Sequence, residues 1–458
     1  MTAPGAAGGE ARFFLAGAVF CALLAAAVSC AAFSGRFATD MDWDTATMVL
    51  THYGYNVQEP RPFHIACSTY LSGALHLGAL VGLQGLQALQ AFFFLHLMLL
   101  GMSALYITRR LAGGILLPFA LTAWAILNPS NAYLLLVLED NVPAIAFAYL
   151  STALTVRFSA QPRNTYLIAA ALSAAMSLSM GLSAAFWILG LGLVFVVWPI
   201  SGTRDWWKRV AVYALAAAAS ILALSLLEDF YRDMDAFTSL AASLRSPATE
   251  YAEFLLPLSA RDRVIYLFVL IAGGLGVPLL TAMRSSFSVA ALGLVLIATI
   301  PLLLVLRVGF QNLSTVSRRL LVLAGLIFCS NVLFLCFFAD PAVHERGDWV
   351  VPCALFFLLG LAPAFRPRQA LLSGLCVLSL SLVGVVAFFL SEAAARMSPE
   401  AQHIRTEAAR PAPVWTADAA CAGAARVALI ELLEPESCTI QVTGDHDFCP
   451  NRCQLTQP

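Results

Sequence analysis

The chain has 458 residues, of which 60% are hydrophobic and only 12% charged, with a formal net charge of −1 and a mean hydropathy of +0.81. A soluble domain carries roughly 25% charged residues, so this composition points to lipid as the solvent. The near-neutral balance gives no electrostatic footprint for nucleic acid, and the absence of a Gly-rich nucleotide motif or Walker sequence gives no support to a nucleotide-sugar donor.

Runs without Asp, Glu, Lys or Arg occupy residues 13–34, 63–108, 111–138, 141–156, 164–203, 210–227, 264–283, 285–306, 320–339, 349–365 and 370–390. A spanning helix needs about 20 mostly apolar residues, so these runs predict about eleven or twelve helices, with two in the longest. Bare backbone polar groups cannot be left in lipid, which makes an all-α polytopic membrane bundle the expected fold. The first run follows Arg12 and exceeds the ~7–15 residues of a signal-peptide core, so a retained first helix is expected.

The first loop holds Ala38-Thr39-Asp40-Met41-Asp42-Trp43-Asp44, then Gly54, then Pro60-Arg61-Pro62-Phe63-His64. Three acids lie close together where acids are otherwise scarce. A carboxylate at a lipid–water boundary can ionise, stay partly desolvated and take a proton from a hydroxyl. Further along, Arg109-Arg110, Arg157 and Arg163, Arg204 with Lys208-Arg209, Arg318-Arg319, and Arg366 with Arg368 mark cytoplasmic ends under the positive-inside rule. With the N-terminus inside, the alternation holds through the seventh helix, and the Asp40 loop and the acid-rich stretch 228–262 fall outside. Beyond Asp262 the alternation fails unless one segment does not cross. The candidate is 264–306, where Gly273-Gly274-Leu275-Gly276-Val277-Pro278 can break a helix.

Residues 1–391 read as the membrane domain and 392–458 as a small extracytoplasmic module behind a Pro411-Ala412-Pro413 linker. Cys421, Cys438, Cys449 and Cys453 fit two disulfides of undetermined pairing. A metal set around His446 is the alternative. The other cysteines lie in or beside spans as packing residues. Tyr53, Tyr55, Trp206-Trp207 and Trp349 read as interfacial belt residues. His76 and His96 read as packed or interhelical polar residues.

The order Asp40…Gly54…Pro62-Phe63-His64, an uncharged helix to Arg109-Arg110 with Gly113 nearby, Asn128-Pro129-Ser130, then Glu139-Asp140 resembles membrane glycosyltransferases of the GT-C class. The likeness is nearest to bacterial aminoarabinose- and mannosyltransferase-like families that use polyprenyl-phosphate sugars, and it covers roughly residues 10–200. It implies an inverting transferase of the bacterial plasma membrane, facing the cell exterior or periplasm. Asp40 or Asp42 is then the general base, with Met41 standing where the family pattern has a second acid. Asp44, His64, Glu139 and Asp140 fall to substrate binding. A departing lipid phosphate needs a cation, and Arg suits phosphate; Arg346, Arg232 and Arg61 are the candidates, with Arg346 before Trp349 and Pro352 resembling the family's position. The expected partners are a polyprenyl-phosphate sugar, an extracytoplasmic acceptor and the bilayer, with no cofactor. Asp40, Asp42 and Asp44 are hard ligands able to hold a divalent cation, but a single-phosphate leaving group does not require one, and no metal is expected. Two other readings stay open: a transporter or flippase with acids as gates, and a noncatalytic membrane subunit. The gathering of acids at loops rather than mid-helix favours the enzyme.

Overall fold

The computed structural model describes residues 4–32, 65–83, 85–112, 114–136, 141–181, 184–197, 206–245, 259–275, 287–337, 349–395, 414–417 and 439–442. The chain is a helical polytopic membrane protein. Seven of its described helices are long and apolar enough to cross a membrane, and four shorter apolar segments accompany them.

The helices follow in chain order: α1 (Pro4–Ala32), α2 (Cys67–Leu80), α3 (Gly85–Leu111), α4 (Leu116–Ile126), α5 (Pro129–Leu136), α6 (Asn141–Ala160), α7 (Asn164–Met180), α8 (Ala185–Leu191), α9 (Trp206–Tyr231), α10 (Thr238–Arg245), α11 (Ala260–Gly274), α12 (Phe287–Val308), α13 (Thr315–Phe337), α14 (Val350–Leu361) and α15 (Pro367–Ala395). α8 continues as a π-helical turn, Gly192–Val197. α15 runs four residues past Ser391, and beyond it β1 (Val414–Ala417) pairs in parallel with β2 (Thr439–Val442).

Local chemistry sets the breaks. α2 ends in a Schellman motif: the Leu83 N–H donates to Gly78 O and the Gly82 N–H to Ala79 O. Gly82 sits at φ 81°, which a residue without Cβ adopts freely. The run 63–108 therefore folds as a helical hairpin, with α2 laid back against α3. Pro129 starts α5 and can offer no N–H. Asn128 accepts from the Asn131 N–H at 2.9 Å, and the side-chain amides of Asn128 and Asn131 donate to Ala125 O at 3.0 Å. Asparagine thus satisfies the groups that the break would leave bare in lipid.

The contacts between helices fix their directions. Glu10 pairs with Arg110 at 3.1 Å, and Cys30 meets Gln90, so α1 and α3 are antiparallel. α3 and α6 run parallel, with His96 beside Phe147 and Tyr106 beside Arg157. α6 and α7 are antiparallel, stitched by Ser177 to Ala144 O and Ser151 to Ala170 O. Small residues let these backbones approach, as membrane helix pairs require. Phe195 meets Arg319 while Phe186 meets Phe334, so α8 opposes α13. Leu117 abuts Gly374 and Tyr133 abuts Phe388, so α4–α5 run parallel to α15.

Two poles result. One collects Arg12, Arg109-Arg110, Arg157, Lys208-Arg209, Arg318-Arg319 and Arg366; Arg307 joins it because Leu304 and Val308 pack with Leu321, Leu361 and Phe365. The opposite pole collects the ends at Ala32, Asn141, Met180, Tyr231, Trp349 and Ala395. α11 has only 15 residues, stops at Gly274 and packs on α5, α12, α13 and α14. Large exposed side chains such as Leu15, Leu215, Leu303 and Leu390 face outward, as lipid-exposed positions should.

Candidate functional site

The described chemistry at the opposite pole centres on the contact between α2 and the end of α9. Glu228 is fully buried. One of its carboxylate oxygens accepts from the Thr69 backbone N–H and from the Thr69 hydroxyl, each at 2.8 Å. The other oxygen, Oε1, is buried without a hydrogen-bond partner. The two Thr69 donors and the charge of Arg232 offset part of the cost of burying this carboxyl. Three residues on, the Tyr231 hydroxyl donates to Ser72 at 2.6 Å, completing a two-point clasp.

Asp229 faces the other way. Its carboxylate accepts from the backbone N–H of Ser239 at 2.9 Å and from the Ser239 hydroxyl. That is an N-terminal cap on α10 supplied by the preceding helix, and it satisfies a first-turn donor. The connection is strained: Asp233 and Phe237 stand at φ 54° and 65°. Aspartate tolerates this region; a bulky aromatic does not do so freely. Burial pulls the Arg232 guanidinium below its ordinary pKa, while Glu228 and Asp229 push it back up. It stays cationic.

Between α2, α3 and α9 lies a cavity of about 770 Å³, lined by Ala66, Thr69, Gly73, Leu77, Phe92, Leu95, Leu99 and Leu227 among others. Its wall is apolar except at Thr69, Tyr70 and His96. His96 Nδ1 meets Phe92 O at 2.7 Å and Nε2 meets the Tyr70 hydroxyl at 2.9 Å. A carbonyl only accepts, so Nδ1 carries the proton and Nε2 accepts from Tyr70. The pair ties α2 to α3.

Of the residues singled out from sequence, Arg232 is placed here, in the turn after α9. Asp40, Asp42, Asp44, His64, Glu139, Asp140, Arg346 and Arg61 lie outside the described residues, as do Cys421, Cys438, Cys449 and Cys453. The flanks of His64 and of Glu139-Asp140 meet. Asn141, next to Asp140, packs on Gly181. Met180 O accepts from the Cys67 thiol at 3.0 Å, and Ser179 O from the Ala66 N–H at 3.1 Å. Ala66 follows His64 by two residues, and Thr69 leads to Glu228 and so to Arg232. Trp349, three residues after Arg346, is buried against Phe328 rather than in an interfacial belt. Among the described residues there is no group of three His, Cys, Asp or Glu fit to hold a metal, and Cys21, Cys30, Cys67, Cys329, Cys353 and Cys376 are free thiols.

Sequence reasoning passed over Glu228. It opens the acid-rich stretch 228–262, yet it lies in the last turn of an apolar helix; an acid at the end of such a run was the available signal.

No protein-family model matches the chain, and no curated protein matches it. Among solved structures, the cryo-EM structure of the arabinofuranosyltransferase AftD from Mycobacteria is similar at 15% identity and a TM-score of 0.48, over 88% of this chain and 29% of that one. The chain thus spans less than a third of that structure's length.

Proposed function

We propose that the protein is a membrane glycosyltransferase that moves a sugar from a polyprenyl-phosphate carrier to a hydroxyl of an extracytoplasmic acceptor. The observation that supports this reading is that the described flanks of the candidate segments share one pole. The flanks of the segments bearing Asp40 and Asp42, His64, Glu139-Asp140, Arg232 and Arg346 all end there, opposite the cationic pole. Under the positive-inside rule the cationic pole faces the cytoplasm, which turns the candidate segments outward. Nucleotide sugars are generally absent on that side, whereas a lipid carrier is delivered within the bilayer.

The chemistry follows from the residue types. Asp40 or Asp42 takes the proton of the acceptor hydroxyl. The oxygen attacks the anomeric carbon from the face opposite the phosphate. The carbon–oxygen bond to phosphate breaks, and polyprenyl phosphate leaves with the electron pair, its charge met by Arg346 or Arg232. The sugar configuration inverts.

The test is turnover with purified full-length protein, a set of polyprenyl-phosphate monosaccharides and an acceptor pool. Release of polyprenyl phosphate with formation of a glycosylated product is expected, and the Asp40→Asn/Asp42→Asn double variant should lose ~100- to 10,000-fold in rate while remaining folded. Undiminished turnover in the double variant would remove the carboxylate from the mechanism. Turnover with nucleotide sugars alone would remove the donor.

A further inference from the structure

The cationic pole holds a second cavity, unrelated to the candidate segments above. It measures about 500 Å³ and lies where α12, α13, α14 and α15 end together. Arg307, Asn312, Ser314 and Gln369 supply its polar wall; Leu304, Val308, Leu313 and Phe365 supply the apolar one. Arg307 is exposed, as are Arg366 and Arg368 nearby. No Asp or Glu occurs between Asp262 and Asp340 or between Asp348 and Glu392. These four helix ends therefore carry cations with no carboxylate of their own to neutralise them. Gln369 accepts from the Arg366 N–H through its carbonyl oxygen at 3.2 Å, which leaves its NH₂ group to donate. Ser314, beside the first turn of the long helix α13, adds the positive end of that helix to the same cavity.

We propose that this cavity binds the phosphodiester headgroup of an anionic phospholipid. The chemistry of the two walls selects the ligand. A guanidinium and an amide N–H match phosphate oxygens. The apolar wall leads directly to the lipid-facing side of α12, where Leu302, Leu303 and Leu306 are more than half exposed. A free phosphate uses only the first wall and a neutral acyl chain only the second; a phospholipid uses both. Basic pockets between membrane helices at the cytoplasmic boundary recognise anionic headgroups in this way.

The experiment is native mass spectrometry of delipidated full-length protein titrated with phosphatidylglycerol, phosphatidylcholine and inorganic phosphate. The wild type should retain phosphatidylglycerol in preference to phosphatidylcholine. Arg307→Ala should weaken that adduct about fivefold, Arg307→Lys should restore most of it, and Gln369→Ala should weaken it in the same direction. Arg163→Ala, an exposed cation at the same pole away from the cavity, should leave it unchanged. Equal losses in Arg163→Ala and Arg307→Ala would reduce the effect to general surface charge and overturn the site. So would displacement of the lipid by millimolar inorganic phosphate, or undiminished binding in both Arg307→Ala and Gln369→Ala.

Discussion

Glu228 and Thr69 stand 159 residues apart in the chain, yet two hydrogen bonds of 2.8 Å join them, one from the Thr69 amide and one from its hydroxyl. The bond fixes where α2 lies. It acts beside the Tyr231–Ser72, Cys67–Met180 and Tyr70–His96 contacts of the same helix. By holding the start of α2 to the end of α9, Glu228 positions the segment that follows His64 against the turn that carries Arg232.

Removing this clasp should be felt in stability. A typical hydrogen bond contributes about 0.5–1.5 kcal/mol net, two are lost in Glu228→Ala, and that variant also strands the Thr69 amide. Glu228→Gln keeps an acceptor oxygen toward Thr69 and should fall within about 1 kcal/mol of wild type. Thermal unfolding in detergent, followed by helical circular dichroism, distinguishes the two. A Gln variant as unstable as the Ala variant would mean that the charge, and not the oxygen, holds α2.

Asp229 makes a separate prediction. Asp229→Ala removes the cap from α10 and should cost ~1 kcal/mol, within the usual range for such caps. The loss should be local, seen as faster amide exchange across residues 238–245 with no change at α6 or α7. Phe237→Gly should act in the opposite sense, since glycine adopts a φ of 65° without steric penalty. Unchanged exchange in Asp229→Ala would show that α10 is held by its packing on α9 alone.

The helical bundle was legible because composition sets it. Lipid demands long apolar runs, and each run holds a helix, with the runs 63–108, 111–138 and 164–203 each holding two. The hairpin of α2 and α3 was not separable by periodicity, since both are apolar on every side; only Gly82 marks the turn. The region 264–306 divides into α11, which ends at Gly274, and α12 from Phe287; Gly276 and Pro278, the residues expected to break it, lie outside the described residues. The clasp was hidden for a different reason. Thr69 carries no charge and sits in an apolar run, so nothing local announces it as the partner of an acid 159 residues away. Trp349 misled in the other direction: an aromatic at a run's edge suggests an interfacial belt, but packing on Phe328 buries it.

The Tyr70–His96 pair should show measurable coupling. Interhelical hydrogen bonds in membrane proteins average about 0.6 kcal/mol and reach about 1.7 kcal/mol. A double-mutant cycle with Tyr70→Phe and His96→Phe should give a positive coupling in that range. Zero coupling, with both single variants as stable as wild type, would mean that the ring contacts of Tyr70 and His96 with Phe92 and Phe147 suffice to join the helices.

The two-pole arrangement predicts the side of each loop. If the seven long helices and the four shorter apolar segments each make one passage, the number is odd, and the start of α1 and the end of α15 are expected on opposite sides. The directions read from helix contacts agree: Glu10 meets Arg110 at the cationic pole, while Tyr133 and Phe388 lie side by side toward the other. A cysteine at Gln161, in the turn between α6 and α7 at the cationic pole, should therefore react with an impermeant thiol reagent only after cells are permeabilised. A cysteine at Thr45 or at Thr456 should react in intact cells, each compared with the unmodified chain as the blank. Thr45 tests the pole of the candidate carboxylates, and Thr456 tests the passage count independently. Labelling of Thr45 and Gln161 from the same side would break the helix directions. Labelling of Thr45 but not Thr456 in intact cells would mean that the number of passages is even, with α11 crossing or one of the four short segments failing to cross. Cys421, Cys438, Cys449 and Cys453 would then face a reducing compartment, and the two disulfides expected of them would be replaced by free thiols in mass spectra of the nonreduced protein.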